Sequence, residues 1–138
     1  MDTAQVTTTV CVILDAAGVG EWRPTGAYTT AEVGIFYGAI AAAPDRGIGV
    51  TTYMQTDDVE TGLAVRMVQL WCRGTHGDPR GADVLADAAF AALHGIYHRS
   101  GLASITRKSS APMGADGNGR QERSDNYVIV IDNPEALA

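Results

Sequence analysis

The side chains able to do chemistry are few, and their spacing is the first thing to test. His94 and His98 stand four apart, a separation that puts two imidazoles on one helix face where they could share a metal. A metalloprotease helix would carry Glu directly after the first histidine, and Gly95 stands there instead. Asp87 could join them as a third ligand, which makes a small metal-dependent enzyme using Asp87, His94 and His98 one hypothesis. Asp78, Asp83 and Asp87 could be read as magnesium ligands, but their spacing suits the start and outer face of a helix. The run Gly114-Ala115-Asp116-Gly117-Asn118-Gly119 has the glycines of a phosphate loop. Such a loop must leave a strand and open a helix, whereas polar residues and then a strand follow here. Ser109 and Ser110 lack the G-x-S-x-G elbow of a hydrolase. Cys11 and Cys72 both lie in apolar patterns, which suits small buried hydrophobes better than activated thiolates. No nucleophile, base and oxyanion hole come together, so the residues predict a protein that is not an enzyme and needs no cofactor or metal.

Elements must position whatever these side chains do. With 138 residues, 46% of them hydrophobic and 19% charged, the chain predicts a single globular domain over 1–138. A first helix is expected from Ala4 to Ala17, with apolar residues at Val6, Val10, Ile13, Leu14 and Ala17. Asp2 or Thr3 caps its start, and Gly18 ends it. Strands follow at Val33–Ile40, Ile48–Tyr53 and Gly62–Cys72. In the third, Val65, Met67 and Trp71 share one face, and Arg66, Val68, Leu70 and Cys72 share the other.

Asp78-Pro79 predicts a second helix start, and a stripe of Val84, Leu85, Ala88, Ala89, Ala92, Leu93, Ile96 and Tyr97 predicts its core face, with Gly101 as the stop. Leu102–Thr106 is a fourth strand and Tyr127–Ile131 a fifth, apolar on both faces and so placed inside the sheet. The fold class is therefore α+β, with one layer of two helices on a mostly antiparallel or mixed sheet of about five strands.

Between the last two strands lies 107–126, a polar, glycine-rich stretch read as a long loop or arm. Arg107, Lys108, Arg120 and Arg123 flank its tip, and Met113 is its one sizeable apolar side chain. These five are the expected partner contacts. The arm is expected to be mobile in the free subunit, with its arginines exposed enough that Arg120→Glu plus Arg123→Glu would leave the fold intact.

Charge narrows the partners. The net charge of −6 argues against a general nucleic-acid binder. That excess lies wholly in residues 1–62, while 63–138 balance, an asymmetry that suits head-to-tail contact between copies. The longest apolar run, Val33–Ala43, stops at Pro44, too short to span a membrane, and Asp2 and Asp15 do not suit a secretory leader.

Several segments together resemble a known family. They are Arg107-Lys108-Ser109-Ser110-Ala111-Pro112-Met113-Gly114, Asp116-Gly117-Asn118-Gly119-Arg120 and Glu122-Arg123-Ser124-Asp125-Asn126-Tyr127. Gly18-Val19-Gly20-Glu21-Trp22-Arg23-Pro24, Ile35-Phe36-Tyr37-Gly38, Gln69–Gly74, Asp78-Pro79-Arg80 and Leu93-His94-Gly95 appear in the same order. The set resembles the tail terminator proteins of long-tailed bacteriophages, often called minor capsid proteins, of the type found in phages of actinobacterial hosts. The sequence departs from that pattern at Trp71-Cys72, where more polar residues are usual.

The resemblance implies a small subunit of two helices against a sheet. It also implies a homo-hexameric ring that caps the head-proximal end of the tail tube and meets the head–tail connector. The partners it implies are further copies, the tail tube protein and connector proteins. The location it implies is the virion's head–tail junction, after synthesis in the host cytoplasm. A neck or head-completion subunit is the nearest alternative.

Overall fold

The computed structural model describes residues 1–132; positions 133–138 of the expected domain lie outside the described residues. Helix α1 runs Thr3–Ala16. Its start is a full capping box: the Asp2 carboxylate accepts from the Gln5 N–H, and the Gln5 side chain accepts from the Asp2 N–H, both at 2.8 Å. Its end is a left-handed glycine stop, with Gly18 at φ +77° and the Val19 N–H donating back to the Leu14 carbonyl. Val6, Val10, Ile13 and Leu14 are buried as the stripe predicts, with Thr7 and Cys11 beside them.

The strands are β1 (Glu21–Trp22), β2 (Gly34–Tyr37), β3 (Gly47–Asp57), β4 (Ala64–Arg73), β5 (Tyr97–Arg99), β6 (Leu102–Ala115) and β7 (Gln121–Ile131). They form one mixed sheet in the order β1-β2-β3-β4-β7-β6-β5. The first two pairings are parallel and the rest antiparallel. The sheet thus has seven strands rather than about five. The two extra ones, β1 and β5, are two and three residues long, too short to carry any alternation of hydropathy.

Both helices lie on one face of this sheet, α1 over β1–β3 and α2 over β4, β7 and β6. The alternation read in β4 is the one observed: Arg66, Val68, Leu70 and Cys72 face the helices and are buried, while Val65, Met67, Gln69 and Trp71 on the other face are half-buried. Strand β7 is interior, and its Tyr127, Ile129 and Ile131 complete the core under the helices. Cys11 and Cys72 are fully buried free thiols. Burial pushes the Cys11 thiol up to about 12 and the Cys72 thiol higher still, so neither is a nucleophile.

Helix α2 differs from the expected one. It spans Gly81–Leu93, starting later than Asp78-Pro79 and ending well before Gly101. Asp78 instead caps a turn ahead of it, accepting from the Arg80 N–H at 2.9 Å. The buried face is Ala82, Leu85, Ala86, Ala89 and Leu93, while Val84 is 66% exposed and Ala88 is exposed. The helix is rotated because its first turn is seated on the end of β4. A Cβ on Gly74 would sit 2.6 Å from the Gly81 Cα, so only two glycines permit this approach. That contact turns the alanines inward and Val84 outward.

Candidate functional site

The segment 107–126 is not a loop. It is the outer part of the β6–β7 hairpin, paired from Arg107↔Tyr127 to Ala115↔Gln121, with bulges at Arg107/Ser109 and Pro112/Gly114. Only Asp116–Gly119 and Arg120 make the turn. The reason it reads as a loop is that β6 beyond Ile105 has water on much of its surface and carries no apolar alternation.

Two buried arginines hold this hairpin, and both are residues the sequence placed in a mobile arm. Arg120 is 6% exposed. Its Nε donates to Asp116 Oδ2 at 2.8 Å, and its Nη1 donates to the Ala42 carbonyl at 2.7 Å and lies 3.4 Å from Asp45 Oδ1. The same Asp116 accepts from the backbone N–H of Arg120 and of Asn118. The Arg120 N–H foremost, and its guanidinium, hold the Asp116 carboxyl below the usual carboxylate range.

Arg123 is 9% exposed and grips the wholly buried Asp125 with two bonds, Nε to Oδ1 at 2.8 Å and Nη2 to Oδ2 at 3.1 Å. Its Nη1 reaches up to α2, 3.0 Å from Asp87 and 3.3 Å from Asp83, and Ser110 accepts from its Nε. The bond to Asp125 raises the arginine's already high pKa further.

A third arginine was not singled out from sequence. Arg73, also buried, donates to the carbonyls of Asp45, Ala41 and Pro44 at 2.7–2.8 Å, and burial lowers its pKa. Arg73 and Arg120 together tie the 41–45 segment to the hairpin turn. The turn is held again from the other side, since Gly119 accepts from the Gly77 N–H and Asn118 from the His76 ring. The available signal was a charged residue, Arg73, at the end of a strand, on the half-buried face it shares with Gln69 and Trp71.

The remaining expected contacts lie further out. The Arg107 guanidinium stacks 4.0 Å over the Phe90 ring and sits 3.5 Å from Asp125, so it too serves the helix–sheet joint. Lys108 is exposed at one bulge and Met113, 49% exposed, at the other. Of the five residues, two face solvent and three are turned inward.

The metal hypothesis does not survive the geometry. His94 leaves α2 in an extended conformation (ψ 127°) and its Nδ1 accepts from the Arg107 N–H, while His98 lies on β5 with φ 45°. Asp87 is committed to Arg123. Among the described residues no group of three or more His, Cys, Asp or Glu side chains could hold a metal ion. Trp71 and Cys72, where the sequence departs from the family pattern, point to opposite faces. The Trp71 indole donates to Glu122 on the open face, and Cys72 lies under α2.

In this α+β subunit, two helices on a mixed sheet, the buried polar side chains go into clasping one hairpin with arginines. A family model for bacteriophage tail terminator protein matches residues 13–133, and the chain belongs to that family. Among curated proteins none is similar in sequence. Among solved structures, the virion of a native gene transfer agent (GTA) particle contains a chain of similar fold, with a TM-score of 0.52 and 14% identity. The match covers 72% of this chain and 78% of that one. This is a virion structural protein with a tail-terminator role, in a family that is not an enzyme family. No helix among the described residues is long and apolar enough to cross a membrane.

Proposed function

We propose that copies of this chain close into a ring, six-fold as the family resemblance implies, on the head-proximal end of the tail tube. There the ring stops tube growth and offers its other surface to the head–tail connector. The observation that carries this reading is the tail terminator match across 13–133, nearly the whole described chain. The charge asymmetry supports it, because a heterologous interface joins two different surfaces of one subunit and a ring follows if the rotation closes. Lys108 and Met113 are the arm residues that meet a partner. Arg107, Arg120 and Arg123 act from behind by holding the hairpin that presents them.

Electron microscopy of the purified protein, alone and mixed with tail tube protein, tests the reading. Rings seated on one end of tubes of fixed length are expected, and tubes that overrun when the protein is left out. A protein that binds the connector but leaves tube length unchanged would be a neck or head-completion subunit instead.

A further inference from the structure

The sheet has two bare edges, and they lie at opposite ends of it. On one side, β2 covers β3 only as far as Val50, so among the described residues Thr52–Asp57 has no strand partner besides β4. On the other, β5 and the residues before it cover β6 only as far as Ile105, and the Arg107 N–H is taken by His94. From Lys108 to Ala115 the outer backbone of β6 has no partner among the described residues. Unpaired strand edges are templates for further pairing.

Exposed apolar side chains gather on these same edges. Tyr53, Met54 and Val59 are 47%, 54% and 96% exposed at the first, and Met113 and Tyr97 are 49% and 74% exposed at the second. The charges differ in sign. The first edge ends in Asp57, Asp58 and Glu60, and the second begins at Arg107 and Lys108. Like edges would bring like charges together, and unlike edges bring opposite charges together.

We propose that neighbouring copies join edge to edge, with Lys108–Ala111 of one copy paired antiparallel to Met54–Asp57 of the next. The inference rests on the ring reading above and names its contact surface. Direction agrees: β3 and β6 run oppositely within one copy, and rotation about a ring axis preserves that. The faces agree too. Gln55 and Asp57 lie on the helix side, touching Thr3 and Arg66, and Ser110 lies there touching Arg123. Matching helix side to helix side sets Ser110 against Gln55, Ala111 against Met54, and Lys108 against Asp57.

The stagger also fits closure. Within one copy Met54 is level with Thr106, through Met67 and Val128. Ala111 is level with Ser124 and Thr106 with Val128, so pairing Met54 with Ala111 of the neighbour displaces copies by four residues of β7, roughly 14 Å, over four strands, roughly 19 Å. That is a strand tilt of about 36°, inside the range of closed barrels. The sheet would then run unbroken from copy to copy.

The test is a pair of measurements on full-length chains capping tail tubes. In Asp57→Cys plus Lys108→Cys, oxidation should give a ladder of disulfide-linked multimers on non-reducing gels, since the two Cα atoms would lie within disulfide reach. Lys108→Glu alone should lower capping yield at least tenfold at low salt, with the melting temperature unchanged. Adding Asp57→Lys should recover capping relative to Asp57→Lys alone, the single variant serving as the reference because Asp57 also pairs with the buried Arg66. Capped tubes without cross-links, and wild-type capping by Lys108→Glu, would overturn the edge pairing while leaving the ring intact. If the unmodified chain never caps tubes or forms rings, the ring reading fails and the pairing falls with it.

Discussion

Two hairpin turns of the same sheet are held in opposite ways. The β6–β7 turn is fastened from outside itself: Arg120 links it to the 41–45 segment, and Gly77 and His76 bond its carbonyls. Among the described residues the β3–β4 turn is fastened only from within, by Asp58 accepting from the N–H groups of Glu60 and Thr61, with Val59 almost wholly in solvent. Both contain an aspartate whose carboxyl is held below its ordinary range by turn N–H groups, yet only Asp116 also has an arginine. A turn's own hydrogen bonds fix its shape, and bonds to distant segments fix its place. The first hairpin is therefore a rigid part of the fold, and the second is a finger free to adjust.

The sharpest way to break this contrast is at the base of the rigid hairpin. Arg123→Gln removes the main counter-charge of the buried Asp125, leaving only Arg107 at 3.5 Å. Stranding a buried charge in this way costs about 3–5 kcal/mol, measurable as a lower urea midpoint. By the same argument Arg120→Glu plus Arg123→Glu should unfold the chain, contrary to the expectation from sequence that both are exposed.

Arg120→Gln should cost less, about 1–3 kcal/mol, because Asp116 keeps its backbone donors while the Ala42 carbonyl loses its partner. It should also move the acid limb. A carboxyl with a depressed folded pKa stabilises the fold above its unfolded value near ~4, and that contribution is lost as pH falls through the folded value. An NMR titration should place Asp116 below the ordinary range in the wild type and closer to it in Arg120→Gln.

Gly119→Ala tests the geometry of the turn itself. The residue sits at φ +71° and a Cβ would lie 3.2 Å from the His76 ring, so a loss of about 1–2 kcal/mol in thermal unfolding is expected. The smallest effect belongs to the free finger. Asp58→Ala should leave the melting temperature within error and show only as faster amide exchange at Glu60 and Thr61. A large fall in melting temperature there would remove the distinction between the two turns.

The parts of the fold that were legible in sequence are those where neighbours in sequence settle the matter. Asp2 and Gly18 mark the two ends of α1 through local bonds, and β4 reveals its two faces by strict alternation. The candidate site was misread because its logic is non-local. Arg120, Arg123 and Asp125 look like surface residues until each is seen with its partners: Ala42 for Arg120, Asp87 and Ser110 for Arg123, and Arg123 itself for Asp125. The rotation of α2 was equally hidden, since the Gly74–Gly81 approach that sets it joins a strand end to a helix start across a turn.

The two fully buried thiols give the molecule a clock. A thiol reagent attacks the thiolate, and Cys11 and Cys72 form it only when the core opens, one on the buried face of α1 and the other on β4 under α2. Labelling rates of the two would then time the opening of each half of the helical layer separately, in a free subunit and in an assembled particle alike. An added surface cysteine would react long before either, so tags can be placed on this chain without first removing its own cysteines.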